Sequence, residues 1–461
     1  MVDKNIINQF VLPQLMSSSN FDKLEGNCPI DYIEKNVISI NNVEKLNCLN
    51  KVTQQVLKGR TALFIEGCRE CLLIESKGYE KRGIEKPATE TVIRGPQEGF
   101  TEDLRTNITL LRRNIKNEKF VTEILPVGNT SKNECAVMYL EGVASPEVVK
   151  EVKRRIAGLE LDFIQGDGML EQLIEDNPFS LFPQILSTER PDRASSFIME
   201  GQVVIVTEGT PFALAVPVTL YKLLHTSEDY HLRWQYGTFL RLVRVLGLII
   251  SIFLPALYAG LTLYHQEMIP TELLVSITKA RENVPFPVVL ELLIMEVSFE
   301  LIREGGIRVP GVIGQTLGII GALILGQAAV AAGLVSPILI IIVAVTGLGS
   351  FSIPSYSLAL GIRMMRFIFI VSASIAGFYS LSVAIIIFLG MLCNIKSFGV
   401  PFLSPIAPKT KINPDVVVRQ PLWRQNNRPD YINSPDRKRA GDPTRKWTKQ
   451  KNGGKTNDKG R

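Results

Sequence analysis

The stretch that decides the fold runs from Val309 to Ile362, where 54 consecutive positions carry no Asp, Glu, Lys or Arg. Its first half reads Val312-Ile-Gly-Gln-Thr-Leu-Gly-Ile-Ile-Gly-Ala-Leu-Ile-Leu-Gly-Gln-Ala-Ala-Val330. A single membrane helix needs roughly 20 apolar residues, so this stretch is too long for one span. It predicts two membrane crossings, or one crossing and a re-entrant segment.

Small residues recur every four positions in this stretch, at Gly314, Gly318, Ala322 and Gly326. A spacing of four places them along one face of a helix. Lipid gives apolar helices no hydrophobic reason to associate, and small residues instead let two backbones approach closely. We predict that this face packs against another helix.

The remaining composition describes a chain that is part soluble and part membrane-embedded, because 46% of its 461 residues are hydrophobic and its mean hydropathy is +0.16. The basic charge is concentrated at the end. Residues Arg419 to Arg461 hold 13 Lys and Arg against 4 Asp, whereas the whole chain has a net charge of +6. The six cysteines are irregularly spaced, which does not predict a disulfide framework and agrees with a reducing compartment.

We divide the chain into a cytoplasmic α/β (or α+β) subdomain at 1–118, a second at 119–232, an all-α transmembrane domain at 233–398 and a basic tail at 399–461. No apolar, positively charged leader opens the chain, so the first two parts are expected in the cytoplasm. The tail lacks apolar periodicity and is expected to be disordered. Attraction to anionic lipid and plain solvation are equal alternatives for its basic residues.

Alternation of short apolar runs with amphipathic ones, punctuated by Gly and Pro, predicts the elements of the soluble region. Predicted strands are 61–66, 71–75, 120–125, 136–141, 202–207 and 211–216. Predicted helices are 101–114, 146–158 and 168–175. Strands interleaved with helices indicate one or two mixed units, divided near Lys119.

Three features of the soluble region invite chemical interpretations. Cys68 and Cys71 could be half of a zinc site or a redox pair, but no second pair exists and we favour a hairpin turn. The segment 94–100 could bind an anion before the next helix, although its glycine spacing is typical of a structured turn. The segment 188–193 suits a salt-bridged surface or subunit contact. No catalytic or metal-binding constellation is evident, and no cofactor or nucleic-acid partner is expected.

Arginines before the uncharged run 245–264 predict a first span whose N-terminal end is cytoplasmic. Segment 286–302 is a second span or an interfacial helix, and 312–332 crosses outward again. Segment 337–348 covers only about 18 Å and is predicted to be re-entrant. With 367–393 as the final span, four crossings place both chain ends in the cytoplasm.

The second of these segments carries acids at membrane depth. Glu296, Glu300 and Glu304 follow one another at a spacing of four and lie on one helical face. Buried carboxylates are costly, so they should face water or cationic partners. For Glu304 we favour pairing with Arg303 or Arg308, whereas Glu296 and Glu300 are candidates for an ion pathway, repeated as rings in an oligomer.

Several strings occur in a characteristic order along the chain. They are 79–100, which contains Arg94, Gly95, Pro96 and Glu98; 104–107; 182–184; 188–193, which contains Arg190, Asp192 and Arg193; 208–212; 268–271; 296–304; 313–315; and 326–330. Together these strings resemble the A subunits of bacterial spore germinant receptors of the GerA type. The resemblance covers about residues 1–410. Met1 to Asn8 resembles a segment that follows an initial helix and strand in the family, which implies that this chain starts inside its first subdomain.

The resemblance implies a spore inner-membrane subunit acting with a permease-like B subunit and a lipoprotein C subunit. It implies an oligomer that forms a channel and triggers ion release after nutrient sensing. Two alternatives stay open. One is a secondary transporter, for which broken helices and intramembrane acids are also typical, although no inverted repeat is found. The other is an accessory or scaffold homologue that works without its own B and C partners.

Overall fold

The computed structural model describes residues 7–17, 30–38, 43–57, 60–66, 68–75, 83–308, 321, 324–410, 415–441 and 444. Contacts divide the chain into two compact units, Met1–Arg82 and Gly83–Arg461. The predicted division near Lys119 is therefore wrong. That position lies inside the second unit, where Arg112 on one side of it hydrogen-bonds Thr122 on the other at 3.1 Å.

The first unit is a small mixed fold. Short helical segments occupy Ile7–Val11, Leu12–Ser17 (α1), Ile30–Tyr32 and Ile33–Val37, and a longer helix occupies Leu49–Leu57 (α2). Its strands are Val43–Leu46 (β1), Thr61–Phe64 (β2) and Cys71–Ile74 (β3), in the antiparallel order β1-β3-β2. Successive residues of β3 point alternately into two cores. Leu72 and Ile74 pack with Val11 and Ile33, whereas Leu73 packs with Val52.

The Cys-x-x-Cys sequence lies in the connection between β2 and β3, which pair as an antiparallel hairpin with Phe64 opposite Cys71. This confirms the predicted hairpin. Cys71 is a free, buried thiol, whereas Cys68 is disulfide-bonded, so the two cysteines do not pair with each other. The disulfide at Cys68 is an exception to the expectation that the chain has no disulfide framework and lies in a reducing compartment.

A five-stranded antiparallel sheet organises the soluble part of the second unit, in the order β4-β5-β7-β8-β6. Its strands are Phe120–Val127 (β4), Asn133–Leu140 (β5), Leu186–Thr188 (β6), Val203–Thr207 (β7) and Ala213–Val216 (β8). Its helices are Leu104–Asn114 (α3), Pro146–Ala157 (α4), Gly166–Ile174 (α5) and Pro191–Glu200 (α6).

Both faces of this sheet are covered, because successive strand residues point to opposite sides. Ala136 and Met138 of β5 share a core with α3 and α6, and Cys135 and Val137 share one with α4 and α5. The stretches that are buried on both faces, residues 135–138 of β5, 203–206 of β7 and 213–216 of β8, are therefore apolar at every position. Four predicted strands and three predicted helices agree with the structure to within a few residues, while β6 and α6 were not predicted.

The helical part begins after two single turns, Leu220–Leu223 and Glu228–His231. Its helices are Trp234–Tyr264 (α7), Thr271–Arg281 (α8), Val288–Arg308 (α9), residues 324–331 (α10), Pro337–Phe351 (α11) and Tyr356–Asn394 (α12), with a short 3-10 turn at Gln266–Met268. Among the described residues, α7 and α12 are long and apolar enough to cross a membrane.

Helix α12 is two antiparallel arms. Ala376 and Gly377 leave helical backbone angles, with φ of −145° and +60°, and the chain reverses there. The rings of Phe369 and Phe388 are 5.4 Å apart, although 19 residues of continuous helix would separate them by about 28 Å. The predicted single span 367–393 is therefore wrong, because it contains this reversal.

The chain after α12 packs on the second unit. A two-stranded hairpin, Lys396–Ser397 (β9) and Val400–Pro401 (β10), is followed by 3-10 turns at Leu422–Arg424 and Asp430–Ile432. Arg419 is 1% exposed and donates to the carbonyls of Leu232 and Tyr230. The predicted disorder of the tail is wrong for residues 415–441, since backbone carbonyls accept from its arginines. Residues 445–461 lie outside the described ranges.

Candidate functional site: a charge cluster between apolar helices

Helix α9 turns two carboxylates towards the first arm of α12. Glu296 is fully buried, and its Oε2 lies 3.1 Å from Arg366 Nη2. Glu300 accepts from Arg363 Nη1 and Arg366 Nη2, each at 2.9 Å. The spacing of four that placed the acids on one face therefore presents them to arginines of the same chain.

A third arginine completes the group from α9 itself. Arg303 Nη1 lies 3.4 Å from Glu300 Oε1, and its Nη2 donates to Ser350 Oγ of α11 at 2.8 Å. Its guanidinium also lies 5.1 Å from the ring of Phe299 and 4.6 Å from that of Phe351. Aromatic faces attract such cations most strongly where water is excluded. We call Glu296, Glu300, Arg303, Arg363 and Arg366 the helix cluster.

The helix cluster has three cations for two carboxylates and is incompletely hydrogen-bonded. Among the described residues, neither oxygen of Glu296 accepts a hydrogen bond, and Nε and Nη1 of Arg366 donate none. Buried polar groups are normally paired, so an arrangement with spare donors and acceptors is costly and open to rearrangement. Its spare donors and acceptors can bind water, or form new hydrogen bonds if the helices move.

The structure separates the predicted acids by depth. Glu304 pairs with Arg308 at 2.7 Å on an exposed part of α9, as predicted. Arg363, Arg366 and Ser350 were missed. The available signal was that Arg363 and Arg366 end the uncharged stretch, inside an apolar sequence where unpaired arginines are costly.

A further buried acid, Glu291, lies near the opposite end of α9. It accepts from the backbone N–H of Ser336 and lies 3.6 Å from Arg281 Nε. Glu291 lies within the predicted segment 286–302, and the sequence alone gives it no partner. Its position at the N-terminus of α11 satisfies a backbone donor that the helix leaves unpaired.

Of the four residues in the predicted small-residue face, the structure describes Gly326. A Cβ on Gly326 would lie 3.8 Å from two carbons of Ile340 in α11, so this glycine faces a helix of its own chain. Gly314, Gly318 and Ala322 lie outside the described residues. Packing of that face against another subunit stays a prediction.

The segment 188–193 forms an intramolecular contact with the segment before α3. Arg190 is almost fully buried, and its guanidinium donates to the carbonyls of Glu90 at 3.1 Å and Pro96 at 2.7 Å. It also lies 3.0 Å from Asp192, and Arg193 pairs with Glu90 at 2.7 Å. The segment was predicted to form a salt-bridged surface or a subunit contact; the structure shows its salt bridges within the chain, with Arg190 buried.

The segment 94–100 is a turn, as favoured. Gly95 has φ of +139°, and a Cβ there would collide with the ring of His231, so only glycine fits. Glu98 pairs with Arg113 of α3, while Arg94 is exposed. No part of this turn points to a phosphate site.

A second charged group joins the start of α7 to the tail. Asp229 accepts from Arg241 Nε at 3.1 Å and Arg244 Nη1 at 2.8 Å, and Arg241 Nη2 donates to Asp415 at 3.3 Å. Burial alone would raise the pKa of Asp229, but the hydrogen bonds and charges of Arg244 and Arg241 hold it below its usual value. We call Asp229, Arg241, Arg244 and Asp415 the junction cluster.

A cavity of about 290 Å³ lies where α5 and β6 meet the start of α12. Its wall includes Asp167, Glu171 and Tyr356, together with the paired Glu90 and Arg193. Burial, followed by the charges of Glu175 and Asp167, raises the pKa of Glu171 to about 7. Within the described ranges, no three His, Cys, Asp or Glu side chains gather to hold a metal ion.

Comparisons with known proteins agree with the resemblance found in the sequence. Residues 1–431 match the Bacillus/Clostridium GerA spore germination protein family. Spore germination protein KA of Bacillus subtilis (strain 168) is 40% identical over 96% of this chain and 81% of that protein. The membrane protein YfkQ of the same strain is 41% identical over 86% of this chain and 77% of its own length.

One solved structure is also similar in sequence. It is the N-terminal domain of the A subunit of the Bacillus megaterium spore germinant receptor GerK3, 36% identical over 25% of this chain and 93% of that domain. The TM-score of this match is 0.22.

Proposed function

Because the chain belongs to the Bacillus/Clostridium GerA family of spore germination proteins, we propose that it is the A subunit of a nutrient germinant receptor in the spore inner membrane. The observation that carries this proposal is the family match over residues 1–431, which includes both the soluble and the helical parts. Its partners in the proposal are a permease-like B subunit, which receives the nutrient, and a lipoprotein C subunit.

Contacts between helix ends support a revised membrane path. Tyr264, at the end of α7, donates to the carbonyls of Ser374 and Ile375 at the reversal of α12, so both lie at the end away from the sheet. Helix α11 starts beside Glu291 and ends beside Gly247 of α7, so it runs back towards the sheet. In this proposal α7, α9, the predicted span 312–332 (which includes α10), α11 and the two arms of α12 cross the membrane in turn.

Six crossings keep both chain ends on the cytoplasmic side, as the positive-inside tendency expects for the basic tail. This path of six crossings replaces the predicted path of four crossings plus one re-entrant segment. A reporter fused after Arg461 tests this path. Accessibility from outside intact cells would exclude an even number of crossings.

We further propose that the subunit forms an oligomeric cation channel that opens during germination, with Glu296 and Glu300 beside the ion pathway. With three arginines against two carboxylates, the helix cluster repels cations as long as its pairs are closed. Movement of α9 away from the first arm of α12 would separate the arginines from Glu300. The exposed carboxylates could then attract cations, as rings of acids do in channels.

Substitutions of the two partners of the Glu300–Arg363 ion pair distinguish a role in the ion pathway from a purely structural role. Under the channel proposal, Glu300→Gln lowers the rate of monovalent cation release, whereas Arg363→Gln leaves it unchanged or raises it. If the pair only holds α9 to α12, both variants impair release together, since each breaks the same contact. Normal release from both would remove the pair from the mechanism.

The matched control is Glu304→Gln, which removes a carboxylate from the same helix at an exposed ion pair. It should release cations at the wild-type rate. Immunoblots of spore membranes establish that all three variants accumulate equally, so a change in release reflects the pathway and not the amount of protein.

A further inference from the structure

The connection from α5 to β6 forms a braced loop with an uncharged tip. Gln184 is 1% exposed and holds the loop closed by accepting from Asn177 N–H at 2.9 Å and donating to its carbonyl at 2.6 Å. Asp176, just before the tip, pairs with Arg155 of α4. The tip, residues 177–180, is therefore fixed in position and carries no charge.

This loop contacts both arms of α12 within their length and not only at their ends. The carbonyl of Leu181 lies against Gly361, leaving no room for a Cβ there, and the ring of Phe182 lies 5.7 Å from that of Phe388. Gly361 is five residues from the start of α12 and Phe388 six residues from its end. At 1.5 Å per residue, the loop sits about 8–9 Å inside the helical pair.

Phe179, at the tip, is 95% exposed although the next two apolar residues are packed. Leu360 and Met364, which flank Gly361 on α12, are also exposed at 40% and 55%. The first arm spans about 30 Å from Tyr356 to Ile375, which equals the hydrocarbon thickness of a bilayer. Leu181 and Phe182 are held 8–9 Å inside that length, so Phe179, two residues before Leu181, is placed near the depth where interfacial apolar side chains meet acyl chains.

We propose that Phe179 inserts into the bilayer interface and anchors the sheet of the second unit to lipid beside α12. The occupant is lipid because Leu181, which follows the tip, contacts Gly361 between the exposed apolar residues Leu360 and Met364 of a helix proposed to cross the membrane. The absence of charge at the tip avoids the cost of desolvating an ionised side chain on insertion. This inference rests on the proposed membrane crossing of α12.

Tryptophan fluorescence in proteoliposomes tests the anchor in the full chain. The background replaces the three native tryptophans, Trp234, Trp423 and Trp447, with Phe, and Phe179→Trp then reports from the tip. The expected result is blue-shifted emission that is lost when the lipid acyl chains are brominated near the headgroup, with little quenching by iodide. Quenching by iodide alone would overturn the proposal.

Two further single-tryptophan variants separate the possible failures. Ile124→Trp, on β4 at the opposite edge of the sheet, is the water-exposed control and should be quenched only by iodide. Ile368→Trp, exposed on the first arm of α12, should be quenched by deeply brominated lipid. If brominated lipid quenches Ile368→Trp but not Phe179→Trp, the proposed anchor is wrong, whereas the proposed membrane crossing of α12 is supported. If neither responds, the proposed crossing fails.

A second copy of the chain is the competing occupant. Emission from Phe179→Trp that resists both quenchers, and shifts to the red when the proteoliposomes are diluted with lipid, would assign the tip to a subunit contact. That outcome also overturns the proposal.

Discussion

In the junction cluster Asp229 accepts hydrogen bonds from Thr226, Arg241 and Arg244, whereas in the helix cluster neither oxygen of the described Glu296 accepts one. Both carboxylates are fully buried, so solvent does not explain the difference. The junction cluster also balances two arginines with two aspartates, while the helix cluster has an arginine in excess. A buried acid whose hydrogen bonds are all formed stabilises one fixed arrangement. A buried acid without those hydrogen bonds can change partners.

The largest expected effect is at the junction. Asp229→Asn keeps the side-chain size but removes the charge that Arg241 and Arg244 share, leaving buried guanidinium groups poorly compensated. Removing one partner from a buried ion pair costs about 3–5 kcal/mol. The free energy of unfolding in detergent, from denaturant titration, should fall by that amount. A loss below about 1 kcal/mol would show that the junction cluster is not a structural support.

The corresponding change in the helix cluster should lower the free energy of unfolding by less. In Glu296→Gln, Arg366 keeps its hydrogen bond to Glu300, and the lost carboxylate made no aligned hydrogen bond. We expect a loss of about 1–3 kcal/mol, in the range for an imperfectly satisfied buried group. If Glu296→Gln destabilises the protein as much as Asp229→Asn, the contrast between the two clusters is incorrect.

A third setting is the partly buried acid Glu171, whose pKa is shifted by burial and by neighbouring acids. The folded protein favours the protonated form of Glu171, because its pKa rises from 4.5 to about 7. Its contribution to stability is therefore fully present below pH 4.5 and is lost as pH rises through 7. Glu171→Gln should remove this loss, so that thermal stability changes less between pH 4.5 and 7. An unchanged pH profile would contradict the assignment.

The smallest effect is expected at the exposed pair. Glu304 and Arg308 both contact solvent, and such pairs contribute about 0–1 kcal/mol. Glu304→Gln should shift the denaturation midpoint little, and less in high salt, where the pair is screened. A loss approaching that of Glu296→Gln would mean that Glu304 meets a partner subunit.

The sheet of the second unit was predictable because its signals are local. Strands β4, β5, β7 and β8 are apolar runs of ordinary length bounded by Gly, Pro or polar turns, and the sequence places each of them. Strand β6 has only three residues, too few for a periodic pattern. Helix α6 was missed because its charged start, Arg190 to Arg193, was interpreted as a surface motif.

The carboxylates of the candidate site were also predictable, since charge within an apolar run stands out. Their partners were not, because Arg363 and Arg366 lie more than 60 residues further along the chain and meet Glu300 only after several helices pack. The packed tail was missed for a similar reason. Composition showed the basic residues after Arg419 but not the backbone carbonyls of Tyr230 and Leu232 that accept from this arginine.

The reversal at Ala376 and Gly377 has a consequence for biogenesis. From Phe367 to Ile395 the chain has no Asp, Glu, Lys or Arg, so the tip between the two arms carries no charge. Ser372 and Ser380 hydrogen-bond each other's carbonyls across the tip, which pairs polar groups that lipid could not satisfy. In the proposed membrane path, the translocon would therefore release both arms together as one hairpin, without carrying a charged loop across the membrane.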